Sequence, residues 1–436
     1  MLIEFRVMVE VLKVRTAGWD YCLFYSGALA LRRGLNPYTD GMVTVARQIG
    51  VATAYLPHVI NTPAFLLCFE PLTLIPIRSA YWVWFALNVG VLALALKILL
   101  DWKSTLESWA KWNLVALVLL YPAMIDQFLF AQAQIVVLAT MVLMMRWVDQ
   151  GDDRAGGIIF ALAGLLRVYP LTMGGYLLVR RRWRAISWAA VAFLCGALVT
   201  VIAVGTARCA SFVNAIGLIA MPTLLRFTTN IATSTFIRRC FWYAYGTSLT
   251  PSLDLVCRSI TVAAIVILLI LTTYATASSA GRDDREGRRF SLWIVTTLMI
   301  APLAWTHYMI LLSIPFVRIV AVAHDGRASL RTRVLAIASY AVFVIGRLSP
   351  WYMLQLPMPI DHRAGVLAIV TSESGFVSIV LAFAAAYWFA IDDPEIAVST
   401  YRKTTGTVGA VKPGVPLVEA NPQSGTASTG SLGAPA

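Results

Sequence analysis

The residues best suited to chemistry in the first half of the chain lie between positions 18 and 60. Asp20 stands between two aromatic residues, and a turn-forming pair, Asn36-Pro37, follows further along. A carboxylate among aromatic side chains suits a loop at a membrane surface that closes over a polar ligand. An ordinary interfacial loop, with Trp and Tyr at the membrane boundary, fits the same composition. Composition alone weighs these two interpretations equally.

A second polar feature is a cation deep in apolar sequence. Arg167 is flanked on each side by 12 uncharged residues. Leaving such a charge unpaired costs several kcal/mol, so it needs a partner. Its planar guanidinium can bind two oxygens of a phosphate group, or it can form a buried ion pair with Asp126 or Asp20. We favour the phosphate because its geometry matches the guanidinium.

Other polar side chains interrupt the apolar runs. Gln132 and Gln134 stand at the mouth of a span, where amides hydrogen-bond either a ligand or the opposite helix. Asp126, just before them, is a second carboxylate and the main rival to Asp20. His307 sits in an apolar turn, where a histidine is more often a core residue. No ligand spacing indicates a metal, and we predict neither a metal nor a cofactor.

The elements that position these residues are predicted to be membrane helices. The chain has 436 residues, 59% hydrophobic and 13% charged, which is more apolar than a soluble core requires. We therefore predict an all-α polytopic membrane protein. Uncharged runs long enough to cross roughly 30 Å of hydrocarbon as helices cover residues 79–96, 127–145, 185–207, 259–281, 290–317 and 374–391.

The run 290–317 is too long for one comfortable span. We predict two helices, 290–304 and 308–323, that meet in a tight turn at Trp305-Thr306-His307. Shorter apolar pieces, several broken by proline, resemble half-helices, which are tolerated at membrane depth only beside protein or a wet cavity. The sequence therefore predicts an enclosed polar cavity.

Charge placement predicts the orientation of the chain. The net charge is +13, and the basic clusters are expected to face the cytoplasm rather than bind nucleic acid. With these clusters fixed, Arg167 and His307 fall on the opposite face. Between residues 62 and 133 two arrangements stay open. Either 102–111 is cytoplasmic and 62–77 does not cross, or 102–111 is external and 112–133 is re-entrant.

Three regions are predicted along the chain. A short N-terminal segment covers residues 1–17, a membrane domain covers 18–393, and a tail rich in Gly, Ser, Thr, Ala and Pro covers 394–436. Such a tail is expected to be disordered and cytoplasmic. Of the six cysteines, Cys209 and Cys240 flank one loop and are candidates for a disulfide.

Several separated motifs resemble glycosyltransferase family 87, and they occur in the family's order. Ala131-Gln132-Ala133-Gln134 is similar to the family's Gly-Gln-x-Asn, and Arg167-Val168-Tyr169-Pro170 is similar to its Lys-x-x-Pro. The remaining motifs are Asp20-Tyr21-x-x-x-Tyr25-x-x-Ala28, Gly34-Leu35-Asn36-Pro37-Tyr38, Tyr55-x-Pro57, Pro71-Leu72-Thr73-Leu74-Ile75-Pro76, Asn230 and Ser234 followed by Arg238, and Ala301-Pro302-Leu303-Ala304-Trp305-Thr306-His307-Tyr308.

The resemblance implies a bundle of the GT-C type with about nine to eleven transmembrane and re-entrant helices. It also implies transfer of mannose from a polyprenyl-phosphate donor, with inversion at the anomeric carbon. In this scheme Asp20 removes the acceptor proton, and Arg167 and His307 neutralise the departing phosphate. The other residues expected to bind substrate are Gln132, Gln134, Tyr38, Tyr55, Asp126, Asn230 and Arg238.

Family members carry a full membrane helix ahead of the Asp loop, whereas here 19 residues, five of them charged, precede Asp20. Either the true start lies upstream, or a short interfacial helix replaces the first span. The partners expected are the lipid donor, a lipid or glycan acceptor on the outer face of the cytoplasmic membrane, and membrane lipids. The identity of the sugar and the acceptor depends on cavity shape.

Two other classes of protein compete with this prediction. A transporter or flippase would also use broken helices and midplane cations, but we find no inverted repeat of the kind many transporters show. A scaffold for a cell-envelope complex would make no demand on Asp20. Transfer activity that depends on Asp20 distinguishes the enzyme from both.

Overall fold

The computed structural model describes residues 19–51, 61–102, 106–217, 225, 227, 229–246, 248–278, 286–347 and 373–391. The predicted N-terminal segment 1–17, Tyr55 and the predicted tail 394–436 lie outside the described residues.

The described residues are folded almost entirely as helices, which confirms the all-α prediction. The first half of the chain contains α1 Trp19–Arg32, α2 Asp40–Gln48, α3 Pro63–Phe69, α4 Ile77–Asp101, α5 Ser108–Leu120, α6 Pro122–Leu129, α7 Gln134–Asp149 and α8 Asp153–Leu166. The second half contains α9 Gly174–Val179, α10 Trp183–Val204, α11 Thr206–Gly217, α12 Thr233–Tyr245, α13 Pro251–Ser278, α14 Glu286–Ile300, α15 Ser313–His324, α16 Leu330–Arg347 and α17 Ser374–Ile391. Short 3-10 helices are formed by Glu70–Leu74, Tyr169–Met173 and Thr306–Leu312.

Five stretches of helix within the described part are long and apolar enough to cross a membrane, which makes the chain a polytopic membrane protein. They are α4, α10, α13, α17 and the continuous stretch Thr306–His324. A sixth crossing is possible if α5 and α6, which bend by 56° at their junction, act as one span. In the apolar window of Thr306–His324, 83% of the residues are buried, so this stretch is central. In the window of α13 only 11% are buried, so that helix faces outward.

The predicted span 127–145 is wrong as a single helix. The chain leaves α6 after Leu129 and starts α7 at Gln134, and Ala131 between them has a φ of 50°, outside the helical region. The backbone N–H of Gln132 donates to the Gln127 carbonyl at 2.9 Å and closes this turn. The amides of the motif therefore lie on a bend between two helices.

The predicted turn inside the run 290–317 is confirmed. Helix α14 ends at Ile300, and the 3-10 helix Thr306–Leu312 leads into α15. Asn230 forms an antiparallel bridge with Trp305, and its side-chain Oδ1 accepts from the backbone N–H of Ala304 at 3.2 Å. The loop ahead of α12 thus holds the turn that presents His307.

Contacts at one end of the helices show where the turn after α4 lies. The Trp102 indole donates to Asp149 at 3.1 Å, and Arg318 donates to the Trp102 carbonyl at 3.0 Å. The turn after α4 therefore shares an end with the basic turn after α7. The segment Pro63–Leu74 is shorter than the stretches that are long enough to cross a membrane.

Helix α1 is fixed by side-chain hydrogen bonds to the segment just ahead of α4. Tyr21 donates to the Ile77 carbonyl at 2.9 Å, and Tyr25 donates to the Ile75 carbonyl at 2.8 Å. Arg32 donates to the Thr73 carbonyl at 2.6 Å. These contacts bury the tyrosine rings beneath α1 and fix the first turn, which carries Asp20.

Helix α8, which ends at Arg167, packs closely on α10 through small residues. A methyl group added at Gly157 would clash with the Ala185 carbonyl oxygen and press on the Ala189 nitrogen at 3.0 Å. Close approach through small residues is a common way to pack helices in lipid. This packing fixes the direction of α8 and so the position of Arg167 at its C-terminal end.

Candidate active site

Asp20 and Arg167 lie on either side of one amide. Asp20 is partly buried in the first turn of α1, and its Oδ2 accepts a hydrogen bond from the side-chain nitrogen of Gln132. The other end of that amide, Oε1, faces the Arg167 guanidinium at 3.5 Å. Residues separated by more than a hundred positions thus form one polar cluster.

Arg167 caps the C-terminal end of α8 and is only 8% exposed. One guanidinium nitrogen donates to the side-chain oxygen of Asn61. The guanidinium also lies over the rings of Phe24 and Phe65, at 5.5 and 5.2 Å from their centroids. Aromatic faces attract a guanidinium and shield it from water.

The bend that carries Gln132 is held through its backbone. The Trp84 indole donates to the Ala131 carbonyl at 2.9 Å, and the Gln127 side chain donates to the Gln132 carbonyl. Gln132 is 5% exposed, so little of its side chain meets the surface. The amide is therefore held between the carboxylate and the cation.

Gln134 and His307 border the same cluster through two tyrosines. Tyr169 donates to Gln134 Oε1 at 2.6 Å, and its ring stacks on Tyr308 with centroids 4.9 Å apart. The His307 ring packs against Tyr308 at 4.9 Å, and its Nε2 has no hydrogen-bond partner among the described residues. Tyr308 lies within electrostatic reach of Asp20, which brings the predicted histidine turn to this site.

Tyr38 is buried beside the cluster and bonds its backbone. Its ring is 8% exposed, and its hydroxyl donates to the backbone carbonyl of Asn61 at 2.9 Å. Asn61 itself was missed by the sequence analysis. Its position before Thr62-Pro63 signals only the start of a helix, which Thr62 caps by accepting from the Phe65 N–H at 3.1 Å.

Asp126 is fully buried and paired elsewhere. Its carboxylate lies 2.7 Å from the Arg347 guanidinium and accepts from the Thr306 hydroxyl at 3.1 Å. The ion pair of Arg167 with Asp126 or Asp20, which the sequence left open, does not form. Asp126 fixes the start of the His307-bearing 3-10 helix instead.

Asn230 and Arg238 also have partners of their own. The side chain of Asn230 is fully buried and serves backbone groups of the Trp305 turn. Arg238 forms an ion pair with Asp254 of α13 at 2.5 Å. The neighbouring Arg239 is buried and makes a two-point ion pair with Glu373 at 2.6 Å. Both arginines therefore join helices in the structure.

The predicted disulfide between Cys209 and Cys240 is wrong, since both are free. Among the described residues, no group of three or more His, Cys, Asp or Glu side chains is arranged to hold a metal ion.

The environment of Asp20 shifts its titration. Burial raises the pKa of the carboxyl from 3.8 to about 6, against the opposing effects of the Gln132 hydrogen bond and the Arg167 charge. At neutral pH the group is ionised and still basic enough to accept a proton. A carboxylate of this kind next to a shielded cation suits general-base chemistry on a substrate that carries an anion.

The fold and the cluster define a polytopic helical membrane protein with a carboxylate, an amide and a guanidinium gathered at one end of its helices. The chain belongs to glycosyltransferase family 87, whose family model matches residues 60–304, more than half of its length. The match includes Asn61, Gln132 and Arg167, while Asp20 and His307 lie outside it. No curated protein and no solved structure matches the chain. Family membership indicates a membrane glycosyltransferase and favours it over the transporter and the scaffold.

Proposed function

We propose that this enzyme transfers a hexose, mannose, from a polyprenyl phosphate to a hydroxyl of a lipid or cell-envelope glycan. The observation that carries the proposal is the Gln132 amide, which hydrogen-bonds Asp20 on one side and faces Arg167 on the other. Sugar transfer from a lipid phosphate needs a base and a cation close together. This cluster supplies both.

In the proposed reaction, Asp20 accepts the proton of the acceptor hydroxyl. The acceptor oxygen forms a bond to the anomeric carbon of the sugar while the bond from that carbon to the phosphate oxygen breaks. The electron pair of the broken bond stays on the phosphate, and the polyprenyl phosphate leaves. One displacement from the opposite face inverts the anomeric centre, which gives an α-mannoside from a β-linked donor.

Arg167 is the proposed partner of the leaving phosphate. A guanidinium held in place before the reaction stabilises charge as it develops and needs no rearrangement to do so. His307 borders the cluster with a free ring nitrogen within the described part of the chain, and we assign it to the phosphate oxygens or to proton transfer. Gln134 and its tyrosine partner line the same side and suit the sugar hydroxyls.

The proposed site faces the outside of the cytoplasmic membrane. Asp153 begins α8, and Arg182 lies in the turn between α9 and α10. Their side chains are 3.6 Å apart at the end remote from Asp20. Basic turns favour the cytoplasmic side. The cluster at the other end would then take its donor from the outer leaflet.

The test measures transfer from radiolabelled polyprenyl-phosphate-mannose in membranes that contain the wild-type chain, Asp20→Asn or Arg167→Gln. Asp20→Asn keeps the shape of the side chain and removes the base, so we expect a loss of about 10²–10⁴-fold in rate. Asp40→Asn, the same change at an exposed position on α2, is the matched control and should retain activity.

Full transfer activity in Asp20→Asn would show that Asp20 is not the base. Label that crosses the bilayer without joining an acceptor would favour the transporter. Both outcomes are read from the same incubation when acceptor-linked and free lipid label are separated.

A further inference from the structure

Arg167 is a buried cation whose hydrogen-bond partners are neutral amides. Its guanidinium donates to the Asn61 side-chain oxygen and faces Gln132 Oε1 at 3.5 Å. Within the described residues its Nε has no partner, and no carboxylate forms an ion pair with it. Two other buried arginines do pair with acids, Arg239 with Glu373 and Arg347 with Asp126. The charge of Arg167 is thus left without a direct counter-ion.

Hydrogen bonds of neighbouring groups position Asn61 beside Arg167. Its carbonyl accepts from the Tyr38 hydroxyl at 2.9 Å. The next residue, Thr62, donates through its hydroxyl to the Leu165 carbonyl at 2.6 Å, two positions before Arg167. Asn61 is 3% exposed, so its side chain is confined. An aspartate would have the same shape in this place, yet the chain carries the neutral amide.

We propose that Asn61 is a positioning residue whose neutral amide orients Arg167 and leaves the guanidinium charge available to the phosphate of a polyprenyl-phosphate donor. The inference rests on the proposed function and deepens it. A carboxylate at position 61 would form a permanent, shielded ion pair with Arg167. The donor phosphate would then have to displace that pair before it could bind.

The experiment measures binding of radiolabelled polyprenyl phosphate to the purified full chain in detergent micelles. For Asn61→Asp we expect the dissociation constant to rise about tenfold or more, since a charge-assisted contact to the phosphate is lost. The unfolding temperature should stay the same or rise because the new carboxylate pairs with Arg167. Asn61→Ala removes the orienting contact without adding a charge, so it should weaken binding less than Asn61→Asp.

Two controls separate charge from packing. Asn214→Asp makes the same amide-to-acid change at an exposed position on α11 and should bind polyprenyl phosphate like the wild type. The uncharged polyprenol should bind equally well to wild type and to Asn61→Asp, because only the phosphate competes with the carboxylate. If Asn61→Asp does not fold, Gln132→Glu brings a carboxylate to the other side of Arg167 and should show the same loss.

Full affinity of Asn61→Asp, or of Gln132→Glu in its place, for polyprenyl phosphate would overturn the inference. Equal losses in Asn61→Asp and Asn61→Ala, together with lower unfolding temperatures, would reduce Asn61 to a structural role and overturn it as well. Failure of the wild-type chain to bind polyprenyl phosphate would also overturn the inference. A wild type that binds the lipid phosphate but transfers no sugar would overturn the proposed function and leave the role of Asn61 intact.

Discussion

Gln132 shows how one uncharged side chain can organise two charged ones. An amide offers a donor at one end and an acceptor at the other, so it satisfies the Asp20 carboxylate and faces the Arg167 guanidinium at the same time. A direct ion pair would neutralise both groups. The amide keeps them close together and separately available.

The first prediction at this scale concerns pH. Burial raises the pKa of Asp20 from 3.8 to about 6, so the fraction able to accept a proton falls as the pH falls through that value. We expect the transfer rate to decline below about pH 6. The hydrogen bond from Gln132 lowers this pKa, so Gln132→Leu should move the decline to higher pH.

A series of transfer rates across pH checks this expectation, with Gln150→Leu at the opposite end of the helices as the control. Arg167, Cys22 and Tyr308 also lie within electrostatic reach of Asp20 and stay unchanged in both variants. If the rate falls at the same pH in Gln132→Leu as in the wild type, the contact between the amide and the carboxylate is contradicted.

The backbone conformation of Ala131 gives a prediction about stability. Its φ of 50° lies in the left-handed region, where a side chain costs roughly 1–2 kcal/mol and glycine does not. The motif that this stretch resembles has glycine at the same place. Ala131→Gly should therefore stabilise the protein by about 1 kcal/mol, measured by thermal unfolding in detergent.

Ala139→Gly, inside α7, is the matched control and should destabilise the protein by about 0.5–1 kcal/mol. If both changes destabilise by the same amount, the backbone at position 131 is not in the left-handed region.

At the scale of elements, sequence patterns predicted several of the spans but missed the break between α6 and α7. Residues 127–145 are uncharged and apolar, which is the pattern of one continuous span. One cause of the break is tertiary, because the Trp84 indole binds the Ala131 carbonyl, which a continuous helix would use itself. The Gln127 side chain binds the Gln132 carbonyl from within the same segment. Contacts from a distant helix do not appear in local periodicity.

The packing of α8 on α10 gives a prediction at the same scale. Gly157→Ala adds a methyl group against the Ala185 carbonyl, so the two helices must separate. We expect a loss of about 1–3 kcal/mol in unfolding free energy. Transfer activity should also fall, since α8 carries Arg167 at its end.

Gly90→Ala provides the comparison. A methyl group added at Gly90, in α4, meets nothing within 4 Å. This variant should be neutral or more stable by about 0.5–1 kcal/mol, because alanine favours a helix interior. Equal destabilisation of both variants would show that α8 and α10 are not in close contact at Gly157.

At the scale of the whole molecule, the sequence could indicate which residues share an end but not which of them touch. Asp20 and Arg167 stand out by type and surroundings, and the order of basic turns predicts an end for the loops beyond residue 133. The partners are less visible. In the sequence, Asn61 indicates only the start of a helix. Tyr38 is predicted to bind substrate, and the sequence does not show that its hydroxyl bonds the Asn61 carbonyl. Long-range pairings of this kind depend on packing that one sequence does not display.

The two ends of the molecule give a prediction about orientation. Thr39 is exposed near the Asp20 end, and Gln150 is exposed at the basic end. In intact cells, Thr39→Cys should react with a membrane-impermeant thiol reagent, whereas Gln150→Cys should react only after permeabilisation. The parent chain, with its six native cysteines, gives the background. The reverse pattern would place the site in the cytoplasm.

The bend between α6 and α7 takes its shape from an indole, a main-chain bond and the Gln127 side chain, none of which involves the amide side chains of Gln132 or Gln134. Those two side chains can therefore be replaced without loss of the bonds that shape the bend. On the proposed assignment of Gln134 to the sugar hydroxyls, a substitution at that position would change the sugar preference while the bend keeps its backbone.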